Sequence, residues 1–192
     1  MKKHHIVLLL GLLLIILFSS RMLWIDSFRY QKHEPIKDAQ FDLRDWNAED
    51  GDILLLDGEW EFYPSQWLIE NGQLQDLDQS GPTLIELPGK WDEALHTEES
   101  TPYGFGSYRL RLYVDPEDDF NYSIRIQSIH SSSEVYVNGK LLAKSGQVAE
   151  SAEDHIAKNL PYSTSFTADE NGVIDLVIQV ANFEDSRSGG LV

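Results

Sequence analysis

The sequence contains no cysteine. A disulfide framework, a thiolate zinc site and a cysteine nucleophile are therefore all excluded, and the fold rests on its core alone. Basic residues are also scarce: 15 Lys and Arg stand against 32 Asp and Glu, for a formal charge of −17. Every acid follows residue 25, whereas Lys2, Lys3 and Arg21 precede it, which leaves 12 basic against 32 acidic residues and a charge of −20 on the remainder. That balance works against nucleic acid as a partner, because phosphate neutralisation needs surplus Lys and Arg. A phosphate-cradling glycine loop is missing as well; Gly104-Phe105-Gly106 is the nearest approach, and no helical pattern follows it. The six histidines, His4, His5, His33, His96, His130 and His155, include no pair at metal-ligand spacing beyond the N-terminal segment, so neither a metal nor a cofactor is expected. With 192 residues, 42% of them hydrophobic, the chain suffices for one packed domain and an appendage.

The appendage is the N-terminus. Ile6–Phe18 is a run of 13 residues that are all apolar or Gly, preceded by Lys2 and Lys3, and apolar character resumes at Met22–Ile25. A run this short suits a signal peptide, but cleavage needs small residues at −3 and −1. Cutting after Ser20 puts Phe18 at −3, and cutting after Arg21 puts a long cation at −1. Taken as one helix, Ile6–Ile25 spans about 30 Å, enough to cross a bilayer, with Arg21 extending toward the interface and Trp24 as an interfacial anchor. Residues 1–25 are therefore expected to form a signal anchor or a signal peptide, the uncleaved anchor being favoured. Lys32, Lys37 and Arg29 leave the positive-inside rule ambiguous, but a short tail ahead of a first apolar helix is export geometry, so the rest is expected outside the cytoplasm.

Residues 26–52 are polar, with Pro35 and no sustained period, and read as a linker or edge segment. Period-two alternation follows. In Ser107–Val114 the apolar row is Tyr108, Leu110, Leu112 and Val114; in Tyr122–Gln127 it is Tyr122, Ile124 and Ile126; in Ile174–Asn182 it is Ile174, Leu176, Ile178 and Val180. Val135-Tyr136-Val137 and Leu141-Leu142 flank Asn138-Gly139, the signature of a two-residue type I′ hairpin turn. Ile53–Tyr63 reads as a strand bent at Gly58, and Leu84–Leu87 as a short strand ended by Pro88-Gly89. Tyr63–Asn71 reads as weakly helical, and Ala149–Lys158 as a turn of helix or a surface loop. Many short strands without long helical patterns imply an antiparallel sandwich.

Catalytic chemistry finds little support. Ser131-Ser132-Ser133 lies between expected strands, where small hydroxyl residues make turns. Glu59/Glu61, Asp92/Glu93 and Asp118/Asp119 are carboxylate pairs of the kind a glycosidase uses, but nothing isolates them from solvent to raise a pKa. Asp115–Asp119 is read as solvated rather than as a calcium loop. Aromatic residues near loops or on outward rows, Trp67, Trp91, Tyr103, Phe105, Tyr136 and Tyr162, are either core or sugar-stacking surface.

Four stretches taken together, Leu56-Asp57-Gly58-Glu59-Trp60-Glu61-Phe62-Tyr63, Leu87-Pro88-Gly89-Lys90-Trp91, Gly104 to Arg111 and Val135 to Lys140, resemble the galactose-binding-like jelly-roll domain that opens family 2 glycoside hydrolases. The same order resembles the extracytoplasmic sensor region of bacterial seven-transmembrane receptors with diverse intracellular signalling modules, and Val180 to Phe183 with Arg187 to Gly190 are similar to the stretch where those receptors approach the membrane. The resemblance implies an all-β jelly-roll sandwich over residues 53–185, with a juxtamembrane segment starting at 186–192. It implies a non-catalytic ligand-sensing domain of a membrane receptor of histidine kinase or cyclase type, whose output part lies outside these residues. The expected partners are the membrane, through the N-terminal helix, the membrane part of the same receptor, and carbohydrate or a related small molecule. Trp91, Tyr103, Arg109, Tyr136 and Asn138 are the candidate ligand contacts. The alternative is an accessory carbohydrate-binding module of a glycoside hydrolase-like or cell-surface protein.

Overall fold

The computed structural model describes residues 2–26, 33–46, 52–75, 81–95, 100–117, 120–127, 129, 131–187 and 189–191. Arg29, Lys32, His96, His130, Asp118, Asp119 and the side chain of Trp24 lie outside the described residues. The chain forms two compact units, one of Met1–Glu34 with Asn47–Leu55 and one of Pro35–Trp46 with Leu56–Val192. The described residues of the first include the helix α1 (Lys2–Asp26). Among the described residues, its segment Lys3–Met22 is the one helix long and apolar enough to cross a membrane, with a mean hydropathy of 2.2.

The second unit is an antiparallel β-sandwich, the class expected from the alternating pattern. Its strands are β1 (Gln40–Asp42), β2 (Gly58–Pro64), β3 (Ile69–Glu70), β4 (Gln73–Leu74), β5 (Thr83–Leu87), β6 (Gly104–Tyr113), β7 (Tyr122–Ile126), β8 (Ser132–Val137), β9 (Lys140–Ser145), β10 (Tyr162–Phe166) and β11 (Val173–Asn182). The large sheet runs β5-β2-β6-β11-β8-β9, with β1 added in parallel to the end of β6 that β2 leaves unpaired. Ile36, Ala39 and Leu43 are buried, so residues 35–46 form an edge of the sandwich. The strand expected from Ile53 starts only at Gly58, where the chain crosses Ile36: a Cβ on Gly58 would lie 2.3 Å from the Ile36 nitrogen.

Register places the apolar rows on one face. Phe62, Tyr108, Ile178 and Val135 lie side by side, followed by Leu110, Leu176 and Val137, and all are buried. The two-stranded ribbon β7–β10 lies against this face, where the Tyr162 hydroxyl meets Ser133 Oγ at 2.9 Å. Trp91 completes the core, its ring 5.8 Å from Phe62 and nearly parallel to Tyr108 at 6.4 Å.

The opposite face carries the polar positions of the alternation, yet Ser107 and, opposite it, Gln179 are buried. Residues 66–75 cover it. Ser107 Oγ accepts from the Leu68 N–H at 3.0 Å and donates to the Gln66 carbonyl at 2.7 Å, while Gln179 Oε1 accepts from the Ile69 N–H at 2.8 Å. These bonds seat Leu68 and Ile69 on Tyr63, Tyr136 and Val177. The helix expected over Tyr63–Asn71 is therefore a strand end followed by the β3–β4 hairpin. Its turn is Asn71-Gly72, with φ of 51° and 75°, the same dipeptide that turns β8 into β9.

The segment through Arg187, Gly189 and Leu191 returns to the core. Gly89 N–H donates to the Leu191 carbonyl at 2.8 Å, Trp91 N–H to Gly189 at 3.3 Å, and Lys90 Nζ to Arg187 at 3.1 Å. A Cβ on Gly189 would lie 1.9 Å from Trp91 Nε1 and 2.3 Å from the Pro102 carbonyl oxygen. Gly189→Ala is expected to destabilise the sandwich by about 3 kcal/mol through overpacking, seen as a fall in Tm of about 9 °C. Gly81→Ala, at a position with nothing within 4 Å, leaves Tm unchanged; equal melting of the two variants would contradict this packing.

Burial, with a smaller contribution from the Asp92 charge, pushes the Tyr108 phenol well above the ordinary range. The unfolded chain releases that proton near pH 10 while the folded chain keeps it, so the stability contributed by the neutral phenol is whole below about pH 10 and drains away as pH rises further. Tyr108→Phe should make the alkaline limb of the stability–pH curve shallower and leave the acid limb unchanged. Superimposable alkaline limbs in denaturation series would refute the assignment.

Candidate functional site

A cleft of about 460 Å³ opens at the end of the sandwich where β8 begins and β11 ends, and Ser131, Lys158, Glu184, Asp185, Ser186 and Arg187 line it with Ala157 and Asn159. Strand pairing brings these distant segments together: Ser132 lies opposite Ala181 in the β8–β11 ladder, and the Ser132 hydroxyl donates to the Ala181 carbonyl at 3.1 Å. The third wall is the loop before β10. Gln147 and Ile156 exchange backbone bonds of 2.9 and 3.2 Å, and Lys158 N–H donates to the Ser131 carbonyl at 2.6 Å. Ala149–Lys158 is thus a loop closed by an isolated bridge.

Asn182, wholly buried, fixes the turn that carries the acids. Its amide nitrogen donates to the carbonyls of Pro102 and Asp185 at 2.9 and 2.8 Å, and its oxygen accepts from the N–H groups of Glu184 and Asp185 at 3.3 and 2.9 Å. Asp185 then holds Arg187 bidentately at 3.0 and 2.7 Å, which raises the guanidinium pKa. Under this turn lies His155, its ring edge-on to Phe183 at 5.5 Å. Its Nε2 is 3.1 Å from Ser131 Oγ, and its Nδ1 faces Glu184 Oε1 at 3.9 Å. Ser131 has φ of 88°, a left-handed conformation costly for a residue with a side chain.

The five residues singled out from sequence fall into two groups, neither lining this cleft. Trp91 is fully buried and donates its Nε1–H to the Pro102 carbonyl at 3.1 Å; Tyr103, the next residue after Pro102, is exposed. Arg109, Tyr136 and Asn138 cluster across the other sheet face, where Arg109 and Tyr136 flank Val177. Arg109 grips Asp175 through bonds of 2.7 and 2.8 Å. Burial opposes its charge, but the Asp175 carboxylate outweighs that and the pKa rises. Asn138 ties the hairpin to β11, donating to Val173 at 3.1 Å and accepting from the Asp175 N–H at 2.7 Å. Tyr136 donates to Glu134 at 2.7 Å, and burial first, then that carboxylate, pushes its phenol up. The carboxylate pair Glu59/Glu61 is occupied too: Glu59 accepts from the Asp38 N–H at 3.0 Å and Glu61 pairs with Arg111 at 3.1 Å. Among the described residues no group of three or more His, Asp and Glu is placed to hold a metal ion.

Sequence reasoning missed the cleft. Ser131, His155 and Glu184 are far apart in the chain, and the β8–β11 register, the Gln147–Ile156 bridge and the Lys158 bond to Ser131 bring them together. The signal available was the buried-polar demand of Asn182, which read simply as a strand end.

No protein-family model matches the chain, and no curated protein matches it. Solved structures do resemble it. The β-glucuronidase of Ruminococcus gnavus in complex with C6-substituted uronic isofagomine shares 21% identity at a TM-score of 0.47, covering 66% of this chain and 21% of the enzyme. The same enzyme in complex with uronic deoxynojirimycin gives 21% and 0.47, and a further crystal structure of it gives 20% and 0.46. The chain spans about a fifth of the length of these enzymes.

Proposed function

We propose that the chain is a membrane-anchored, extracytoplasmic binding domain, the sensing part of a bacterial membrane signalling receptor, which recognises a carbohydrate or related polar small molecule and does not transform it. The observation that carries the binding reading is the cleft at the β8–β11 end. Its walls alternate acids, cations and hydroxyls, the donor and acceptor mixture that orients a polyol. The helix over Lys3–Met22 supplies the tether, and the sequence pattern resembling receptor sensor regions supports the same reading. Binding rather than catalysis is favoured by the burial of His155, whose side chain has 0% exposure and so acts as a strut for Ser131 rather than a base reaching a substrate.

Such a cleft has a route to the core. Residues 184–187 form its wall, and Arg187, Gly189 and Leu191 bond to Gly89, Lys90 and Trp91. A ligand that prefers one position of this wall biases the tail behind it, to the extent of its differential affinity.

The test is a thermal-shift and calorimetric screen of the full chain in nanodiscs against neutral sugars, sugar acids and polyols. At least one compound at about 100 times its Kd is expected to add about 2.7 kcal/mol of stability, and Lys158→Ala should weaken that binding. If no compound binds, or if the binding one is indifferent to Lys158→Ala, Arg187→Ala and Ser186→Ala alike, the cleft is not the site.

A further inference from the structure

Charges within the cleft are unevenly paired. Asp185 and Arg187 neutralise one another through two hydrogen bonds. Asn182 fixes the backbone of Glu184, whereas the Glu184 side chain is 64% exposed. Lys158 is exposed on the opposing loop, whose backbone is held through its N–H on Ser131 and its carbonyl under the Ser145 hydroxyl at 2.6 Å. Beside the Asp185–Arg187 pair, the described residues of the cleft present the Glu184 carboxylate and the Lys158 ammonium, on walls fixed by different strands.

Behind Glu184 stands the buried His155 Nδ1, with no hydrogen-bond partner among the described residues. A buried polar atom left unmet is costly, and the left-handed Ser131 that braces the other ring nitrogen adds strain. Both costs fall on the same relay. A side-chain rotation of Glu184 that closes its 3.9 Å separation from Nδ1 gives the ring nitrogen its acceptor and turns the second carboxylate oxygen toward the cleft. Charge-assisted hydrogen bonds of this kind are stronger and more directional than those of an unanchored carboxylate.

We infer that Glu184, oriented by His155, accepts a hydroxyl of a neutral polyol while the Lys158 ammonium donates to another of its oxygens. This rests on the reading of the cleft as the ligand site and narrows it. A hydroxyl serves both walls because it donates to the carboxylate and accepts from the ammonium. The lining sets Lys158 and Arg187 against Glu184 and Asp185 and so is balanced in formal charge; a uronate held by Lys158 or an amino sugar held by Glu184 leaves the opposite wall's charge unmet, and a neutral polyol does not. Glu184 is the contact residue in this arrangement and His155 the positioning residue.

The experiment measures affinities of the full chain in nanodiscs for methyl β-D-galactopyranoside, methyl β-D-glucopyranoside, the two corresponding uronic acids and glucosamine, with wild type, Glu184→Gln and Lys158→Ala. Glu184 is exposed, so the Gln variant folds, and its melting temperature checks this. The expected result is that a neutral glycoside binds the wild type more tightly than its uronic acid. Glu184→Gln should weaken the neutral glycoside about tenfold, the worth of one charge-assisted bond, and narrow its margin over the uronic acid. His155→Gln should narrow the same margin with a smaller loss of affinity. If a neutral glycoside binds and loses affinity in Lys158→Ala but not in Glu184→Gln, the role of Glu184 is wrong while the cleft stands. Tighter binding of a uronic acid or of glucosamine by the wild type also overturns the inference. If no member of the panel binds, the cleft reading fails and takes the inference with it.

Discussion

The ladder between β6 and β11 is the constraint on which the rest depends. Ten residue pairs run without a break from Val173 opposite Tyr113 to Asn182 opposite Gly104. Because side chains alternate across a strand, that one register decides the content of both faces, and a slip by one residue would exchange them. It sends Tyr108, Leu110 and Leu112 into the main core beside Ile178, Leu176 and Ile174. It also sets Arg109 beside Val177 and leaves Asn182 at the last rung, where its amide organises the turn that walls the cleft.

Both faces of that ladder are covered, by different means. One is closed by aromatic packing of Phe62, Trp91 and Tyr108 and by the β7–β10 ribbon. The other is closed by a short loop that buries Leu68 and Ile69 and sets the Trp67 ring 4.7 Å from Phe105. Such a small cap is held because Ser107 and Gln179 meet its backbone groups, which would otherwise be buried unmet. Next to it, Arg109 with Asp175 and Arg111 with Glu61 are partly buried pairs. These charges fix relative positions of strands more than they add stability, since desolvation offsets much of their attraction.

Much of this was legible in the chain. The apolar alternation of 107–114 and 174–182, the Asn138-Gly139 turn and the apolar helix follow from local rules, and the structure holds all of them. The failures share one cause: they depend on what lies opposite. Ser107 is polar on an outward row, and only the loop folded over it makes it buried. Tyr63–Asn71 contains enough helix formers to suggest a helix, whereas Tyr63 is committed to β2 and Asn71-Gly72 supplies a turn. Trp91 and Asn138 looked like surface chemistry because they sit beside Pro, Gly and turn residues, yet one is core and the other a strand tie. His155 and Glu184 are joined only in three dimensions.

The proposed role joins a tether to a cleft and requires the sandwich to stand outside the cytoplasm. Since the chain has no cysteine, a single introduced thiol is a unique label. Ser186 is exposed on the cleft wall. Full-length Ser186→Cys, expressed in cells and treated with a membrane-impermeant maleimide, should react before permeabilisation. Reaction only after the membrane is opened would place the cleft in the cytoplasm and contradict the account.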